Sequence, residues 1–329
     1  MSQIYLLPEL QTDETNKPVN VASVPQRSPF RYPGGKTWLI PLLRQWLTSF
    51  ATRPELLVEP FAGGGIISLT TAFEQLADRV LMVELDEQVA AVWETVLNGD
   101  AEWLASRILN FDLSVETARV EFAKKTNTVR DLAFQTILKN RTAHGGILAD
   151  GAGVLKHGEN GKGILSRWYP QTIARRIRCI PSVSSRLKFQ KGDAFEVILR
   201  HRNNPHAVFF IDPPYTAGGK RAGSRLYKHF EIDHERLFAT CEGIRGDFLM
   251  TYDNAEEVRA LAIRHGFVVR PVPMKNTHHA EMTELLIGRN LRWLETPTLL
   301  QEPAVPYVVH TKHPVKRKRN RKEKLEAVS

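Results

Sequence analysis

Cysteine is nearly absent: Cys179 and Cys241 are the only two thiols in 329 residues. Two thiols build neither a disulfide framework nor a four-thiolate zinc site, so stapled secreted scaffolds and cysteine-based metal folds are excluded. Long apolar runs are also missing; none approaches the roughly 20 residues of a membrane helix, which excludes a helical membrane protein. The first eight residues, MSQIYLLP, carry no basic charge ahead of their short apolar patch. They do not read as a secretory signal, and a reducing cytoplasmic setting is expected. No internal repeat is visible. What is present is a globular composition, 42% apolar and 25% charged, long enough for two ordinary domains or one domain with a large insertion.

The balance of 45 Lys and Arg against 36 Asp and Glu leaves the chain at +9. That charge is unevenly placed. Residues 311–329 hold eight basic and two acidic residues, a net +6, and residues 124–191 hold fourteen basic residues against Asp131, Asp150 and Glu159, a net +11. The remainder is therefore −8: an acidic body carrying two basic pieces. Such asymmetry points to a polyanion partner met by a dedicated part of the molecule.

Residues 1–27 are polar, contain Pro8, Pro18 and Pro25, and show no apolar period, so a flexible arm is expected with order beginning at Pro29. Trp38, Leu39, Leu42, Leu43, Trp46 and Leu47 then follow a helical period, with Pro41 in the first turn. Strand (56–59), glycine turn, helix (66–76), strand (80–84) and helix (87–97) form the first half of a doubly wound α/β sheet. From 101 onward the pattern becomes helical and basic, with a glycine-rich stretch at 140–163. Short strands resume at 187–190, 207–211, 247–252, 267–270 and 283–287. The basic window therefore interrupts the sheet as an insertion. The expected organisation is an arm (1–27), a catalytic domain (28–110 and 187–296), a recognition insert (111–186) and a basic tail (297–329) marked by Pro297, Pro303, Pro306 and Pro314.

Four local patterns carry chemistry. Phe209-Phe210-Ile211-Asp212-Pro213-Pro214-Tyr215 is an apolar strand that delivers a carboxylate, two prolines and an aromatic at its carboxyl end, the edge where open α/β sheets bind ligands. Two prolines remove two donors, so the carbonyls of Asp212 and Pro213 face outward as acceptors beside the Tyr215 ring, a fit for a planar amino group. Val58-Glu59-Pro60-Phe61-Ala62-Gly63-Gly64-Gly65 follows the first strand; its glycines let backbone pass close under a ligand, and the helix after it is expected to present free amides. Glu84 ends the next strand where an acid can accept from ribose hydroxyls; Asp86 competes for that role or caps the following helix. Gly34-Gly35-Lys36-Thr37 lacks both the first glycine and the preceding strand of a phosphate loop, so Lys36 is expected to meet a carboxylate. Finally, Asp193 in Gly192-Asp193-Ala194-Phe195 can accept from the exocyclic amine of an adenine. His278-His279 with Glu281 reads as a loop, and no metal site is expected.

Taken together these pieces resemble the Dam-type DNA adenine-N6 methyltransferases over about residues 29–290. Tyr32-Pro33-Gly34-Gly35-Lys36 is similar to that family's amino-terminal motif, Glu59-Pro60-Phe61-Ala62-Gly63-Gly64-Gly65 to its cofactor loop, and Asp212-Pro213-Pro214-Tyr215 to its catalytic motif. Thr251-Tyr252-Asp253-Asn254 resembles its Ser-Tyr-Asn/Asp segment. The resemblance implies a Rossmann-like doubly wound methyltransferase sheet with an inserted, mainly helical DNA-recognition domain. It implies S-adenosylmethionine as cofactor, held by Tyr32, Lys36, Phe61, Gly63, Gly65, Glu84, Asp193 and Asp212. Catalysis would fall to Asp212, Pro213, Tyr215 and Lys36, the lysine lying at the cofactor carboxylate or against Asp212. Double-stranded DNA is the implied partner, touched by Asn140 and Arg141 in a stretch similar to the family's Asn-Arg segment and by Arg175, Arg176 and Arg178. In that stretch Gly145 replaces the usual Asn. A cognate restriction endonuclease is a further partner where one exists, and the setting is the cytoplasm, at the nucleoid. Cytosine-N4 methylation and a non-catalytic DNA-binding protein on the same fold stay open as alternatives. Cytosine-C5 chemistry does not, because it needs a cysteine after proline, and Cys179 follows Arg178 while Cys241 follows Thr240.

Overall fold

The computed structural model describes residues 24–295 apart from 32–34, 144–145, 147, 149–154, 156–157, 159–160, 215–231 and 276–280. Its centre is a seven-stranded sheet: β1 Leu56–Glu59, β2 Arg79–Glu84, β3 Leu187–Lys191, β4 Ala207–Ile211, β5 Asp247–Asp253, β6 Val268–Lys275 and β7 Glu281–Gly288. The spatial order is β3-β2-β1-β4-β5-β7-β6, with β1 to β5 mutually parallel and β7 antiparallel between β5 and β6. Strand order reverses between β1 and β4, so the crevice at their carboxyl ends is the switch point of a Rossmann-like doubly wound fold. Expected and observed strands agree to within a few residues, except that β6 runs on through Pro271 and Pro273. It can do so because it lies at the sheet edge, where missing ladder donors are tolerated.

The central strands are apolar on both faces, and their period of two splits the core. Leu57, Met82, Val208, Phe210, Leu249 and Leu286 enter one cluster; Val58, Val83, Phe209, Ile211, Met250 and Ile287 enter the other. The first is covered by helices α1 Ile40–Thr48, α2 Ile66–Phe73 and α3 Glu87–Leu97, with α4 Ala101–Leu109 beyond them; the second takes side chains from α8 Ala194–His201, α9 His234–Glu242 and α10 Glu256–Arg264. Helix starts follow local capping chemistry. Asp86 accepts from the Gln88 and Val89 amides of α3, and Asp193 accepts from the Phe195 and Glu196 amides of α8. Helix α2 stops at Phe73, short of the expected Leu76, because Gln75 adopts a left-handed φ of 54°.

Residues 111–186 contribute α5 Val115–Ala123, α6 Val129–Thr142 and α7 Pro170–Cys179. Helix α6 packs along α3 and α7 along α4, so the described residues of this segment belong to the same compact unit as the flanking chain. Packing at the amino end begins before the expected Pro29: Val24 is buried, and Arg27 donates to Glu74 at 2.9 Å while covering the Phe73 ring. The expected tail, 297–329, and most of the expected arm lie outside the described residues.

Candidate active site

Side-chain alternation assembles the site. Glu59 shares a face with Leu57, Glu84 with Met82, Asp212 with Phe210, Thr251 with Leu249 and Glu284 with Leu286. All five therefore emerge at one edge of the sheet on the face covered by α1 and α2. Lys36 reaches the same place from the short 3-10 turn Lys36–Leu39 ahead of α1, and it is 3% exposed.

Asp212 follows the last residue of β4. Its Oδ1 accepts from Thr251 Oγ at 2.7 Å and lies 3.2 Å from Lys36 Nζ. The same ammonium is 3.2 Å from Glu284 Oε2 and donates to Glu284 Oε1 at 3.4 Å. Burial, with Asp212 and Asp253 nearby, pushes the Glu284 carboxyl up to about 7 even though Lys36 pulls it down. Lys36 thus bridges two carboxylates. Glu284 is a residue that sequence reasoning passed over, and Thr251 was named there only as part of Thr251-Tyr252-Asp253-Asn254, with no role of its own. Glu284 had a signal: an acid immediately before the apolar run Leu285-Leu286-Ile287, at the parity of the buried Leu286.

Glu59, the last residue of β1, is 3% exposed and accepts through Oε2 from both the amide, at 2.9 Å, and the hydroxyl of Ser68 in the first turn of α2. Burial dominates, and with the Asp212 and Glu84 charges it raises this carboxyl to about 8 against the two Ser68 hydrogen bonds. The expectation that α2 offers free amides is corrected here: Ser68 N–H is engaged by Glu59, and Gly63 N–H donates to Glu84 Oε2 at 2.9 Å. The turn is lined with carboxylates and is no phosphate cradle.

Between sequence neighbours Glu84 and Asp86, the structure separates the roles. Asp86 caps α3, while Glu84 accepts from the Leu85 and Asp86 amides through Oε1 and grips Gly63 through Oε2. Burial raises the Glu84 carboxyl. The loop it holds is tight. Gly63 and Gly65 have φ of 46° and 64°, and a Cβ on Gly65 would come within 2.5 Å of Met82 Cε and 2.8 Å of Trp93 Cζ2. Trp93 Nε1 donates to the Gly63 carbonyl at 2.9 Å, and half-buried Phe61 packs toward the other face of the sheet. Asp193 sits beside this loop, since Gly192 N–H donates to the Glu84 carbonyl at 3.1 Å; its Oδ1 caps α8, and Oδ2 takes no hydrogen bond among the described residues. Pro213 is buried next to Asp212. Tyr32 and Tyr215 lie outside the described residues.

The residues expected on DNA are divided. Arg175 and Arg178 are exposed on α7, Arg178 in a surface pair with Glu102 at 2.6 Å. Asn140 is fully buried and Arg141 is 7% exposed. Their polar groups, with those of Arg176, meet the backbone of residues 28–31: Arg31 N–H donates to Asn140 Oδ1 at 2.8 Å, Arg141 donates to the Pro29 carbonyl, and Arg176 donates to the Ser28 carbonyl at 3.0 Å.

Fold and site together define a Rossmann-like α/β protein with an acidic crevice at its strand ends, entered by one buried lysine. The chain matches no family model and no curated protein sequence. Among solved structures it is similar to a methyltransferase from Geobacter sulfurreducens, at 13% identity over 77% of each chain with a TM-score of 0.35. It is also similar to the rRNA methyltransferase aviRa from Streptomyces viridochromogenes, at 12% identity over 80% of this chain and 88% of that one with a TM-score of 0.35. A third is the precorrin-6y C5,15-methyltransferase from Geobacter metallireducens, at 9% identity over 75% and 86% with a TM-score of 0.34. At these values the reading of the site rests on its own residues. Among the described residues no helix is long and apolar enough to cross a membrane.

Proposed function

We propose that the chain is an S-adenosylmethionine-dependent methyltransferase acting on N6 of an adenine in duplex DNA. The observation that carries this reading is the placement of Asp212, with Lys36 and Thr251 both on Oδ1, across the switch point from a glycine loop gripped by Glu84. The donor set fits the cofactor. Glu59, Glu84, Asp212 and Glu284 gather at the strand ends, with Lys36 paired to the last two, so a positively charged ligand would offset the burial and the like charges that raise Glu59. The Gly63–Gly65 turn would lie under the ligand, with Glu84 on its ribose and Asp193 Oδ2 on its adenine amine. Bound there, the cofactor supplies an electrophilic methyl group.

The protein's own task is to present the nucleophile. An adenine amine is hidden in the DNA stack and must be flipped out, where Tyr215 is assigned to stack on it. Its nitrogen lone pair is delocalised into the ring. Asp212 and the Pro213 carbonyl would accept the two N6 hydrogens, drawing the nitrogen toward tetrahedral geometry and aligning its lone pair for in-line transfer. Lys36 and Thr251 keep Asp212 from rotating away, and no covalent enzyme intermediate is needed. DNA would be met by the basic 124–191 segment, with exposed Arg175 and Arg178 as its phosphate contacts.

The test is a labelled-methyl assay on duplex DNA with base analysis of the product. Wild type should yield N6-methyladenine, and Asp212→Ala should lose at least about a thousandfold in rate while still binding cofactor. Full activity in that variant would refute the assignment, and N4-methylcytosine or methylated RNA as the product would replace the substrate.

A further inference from the structure

The segment Arg27–Arg31 is gripped from two sides. On one side Asn140 reads both polar groups of Arg31 as a neighbouring strand would: Arg31 N–H donates to Oδ1 at 2.8 Å, and Nδ2 donates to the Arg31 carbonyl at 2.9 Å. The second Nδ2 hydrogen goes to the Gly146 carbonyl at 2.8 Å, so the buried amide is almost fully satisfied. Gly146 has φ of 77°, and a Cβ there would stand 2.3 Å from the Arg31 carbonyl, so this approach requires glycine. Arg141 and Arg176 take the Pro29 and Ser28 carbonyls.

On the other side Ser28 Oγ donates to the Gly64 carbonyl at 2.5 Å and accepts from Phe30 N–H at 3.1 Å. Phe30 lies 5.6 Å, ring to ring, from Trp93, whose indole holds the Gly63 carbonyl. Five residues after Arg31 the chain delivers Lys36 to Asp212. Helices α6 and α7 are thereby tied through one short piece of backbone to the glycine loop.

We infer that Asn140, Arg141 and Arg176 are positioning residues for the cofactor site, acting by fastening residues 27–31 to the Gly63–Gly65 turn, and are not contacts to DNA phosphate. The inference rests on the cofactor proposed above. Burial supports it, because a phosphate contact must reach solvent and Asn140 has no exposed surface. The rival reading has one point in its favour: Arg141 stands near Arg31 and Arg176, and burial beside those two cations lowers its guanidinium to about 10, so an incoming anion would be attracted.

Asn140→Ala and Ser28→Ala cut the fastening from opposite sides. Three measurements on the full chain separate the readings: S-adenosylmethionine titration calorimetry, duplex DNA affinity as a function of salt, and amide hydrogen exchange. In both variants cofactor binding should weaken by about tenfold, and KM for the cofactor should rise more than kcat falls. Exchange at residues 27–31 should accelerate with the sheet unchanged, and in a third variant, Arg176→Gln, which removes a guanidinium from the same seam, the salt slope of DNA binding should match wild type. Unchanged cofactor affinity in Ser28→Ala overturns the inference, as does a salt slope reduced by about one in Arg176→Gln, the signature of a lost ionic phosphate contact. Should Asn140→Ala fail to fold, Ser28→Ala decides alone. A wild type that binds no S-adenosylmethionine would refute the proposed function. The fastening is then judged by exchange at residues 27–31 in the two variants, and an unchanged rate there overturns it as well.

Discussion

Lys36→Met is the perturbation whose size and pH dependence follow most directly from the site. Lys36 Nζ lies 3.2 Å from an oxygen of Asp212 and 3.2 Å from one of Glu284, and the lysine is 3% exposed. Methionine fills the same volume without the charge. At an effective dielectric near 20 each contact is worth about 5 kcal/mol in gross attraction, most of it offset by desolvation. Removing one partner of a buried pair costs about 3–5 kcal/mol, because the carboxylates left behind are uncompensated. The loss must depend on pH. Glu284 already titrates near 7 in the folded protein, above the ordinary value of 4.5, so its contribution to stability is fully present below the unfolded value and is lost as pH rises through 7. Without Lys36 its carboxyl rises further. At pH 5 Glu284 is protonated in both proteins, so the loss of the Lys36–Asp212 contact remains and the deficit shrinks to about 3 kcal/mol, the lower end of that range. At pH 8.5 wild type has ionised it against a paired lysine, and the variant must either hold an extra proton or bury a bare charge. Thermal unfolding from pH 5 to pH 9 should show a Tm deficit that grows across that range, to roughly 10 °C at the alkaline end. A deficit that is flat, or larger at pH 5, would refute the electrostatic account of this site.

Other outcomes follow from single contacts. Gly65→Ala places a methyl within 2.5 Å of Met82 and 2.8 Å of Trp93 at φ 64°, and should lower stability by about 2–4 kcal/mol in denaturant titrations together with cofactor affinity. Glu59 is raised from 4.5 to about 8 chiefly by burial, so its stabilising contribution is progressively lost as pH rises between those values; Glu59→Gln should flatten the decline of Tm between pH 5 and 8 while weakening cofactor binding. Equal slopes in the two proteins would count against that assignment. With a thiol reagent, exposed Cys179 should react in the native protein, whereas buried Cys241, whose thiol is pushed well up, should react only on unfolding. Two fast thiols would mean that α9 does not pack as described.

The motifs and the architecture were legible for a common reason: both are local. The consecutive Pro213 and Pro214 end a strand in the middle of a sheet, Gly63 and Gly65 permit a turn closed to other residues, and a run such as Val80-Leu81-Met82-Val83 can only be a buried strand or a piece of buried helix. Asp86 as a helix cap was likewise readable from its neighbours. Glu284 was not, because it lies 72 residues beyond Asp212 and is brought to it by β7 inserting antiparallel beside β5. Nor could the basic window be divided from sequence. Asn140, Arg141, Arg175, Arg176 and Arg178 look alike as a cationic, polar cluster, yet helical phase turns the first two into the protein and leaves Arg175 and Arg178 in solvent.

By itself, then, the sequence determined the strand ends, the glycine turn and the chemical types gathered at the switch point, since these follow from backbone limits and side-chain period within a few residues. Only the tertiary structure decided partners: that Lys36 joins Asp212 to Glu284, that Glu84 occupies an amide of the glycine turn and Glu59 one in the first turn of α2, and that Asn140 binds backbone 109 residues away. Such pairings depend on which elements pack together, and the free energy of a buried polar group is set by the one neighbour that satisfies it.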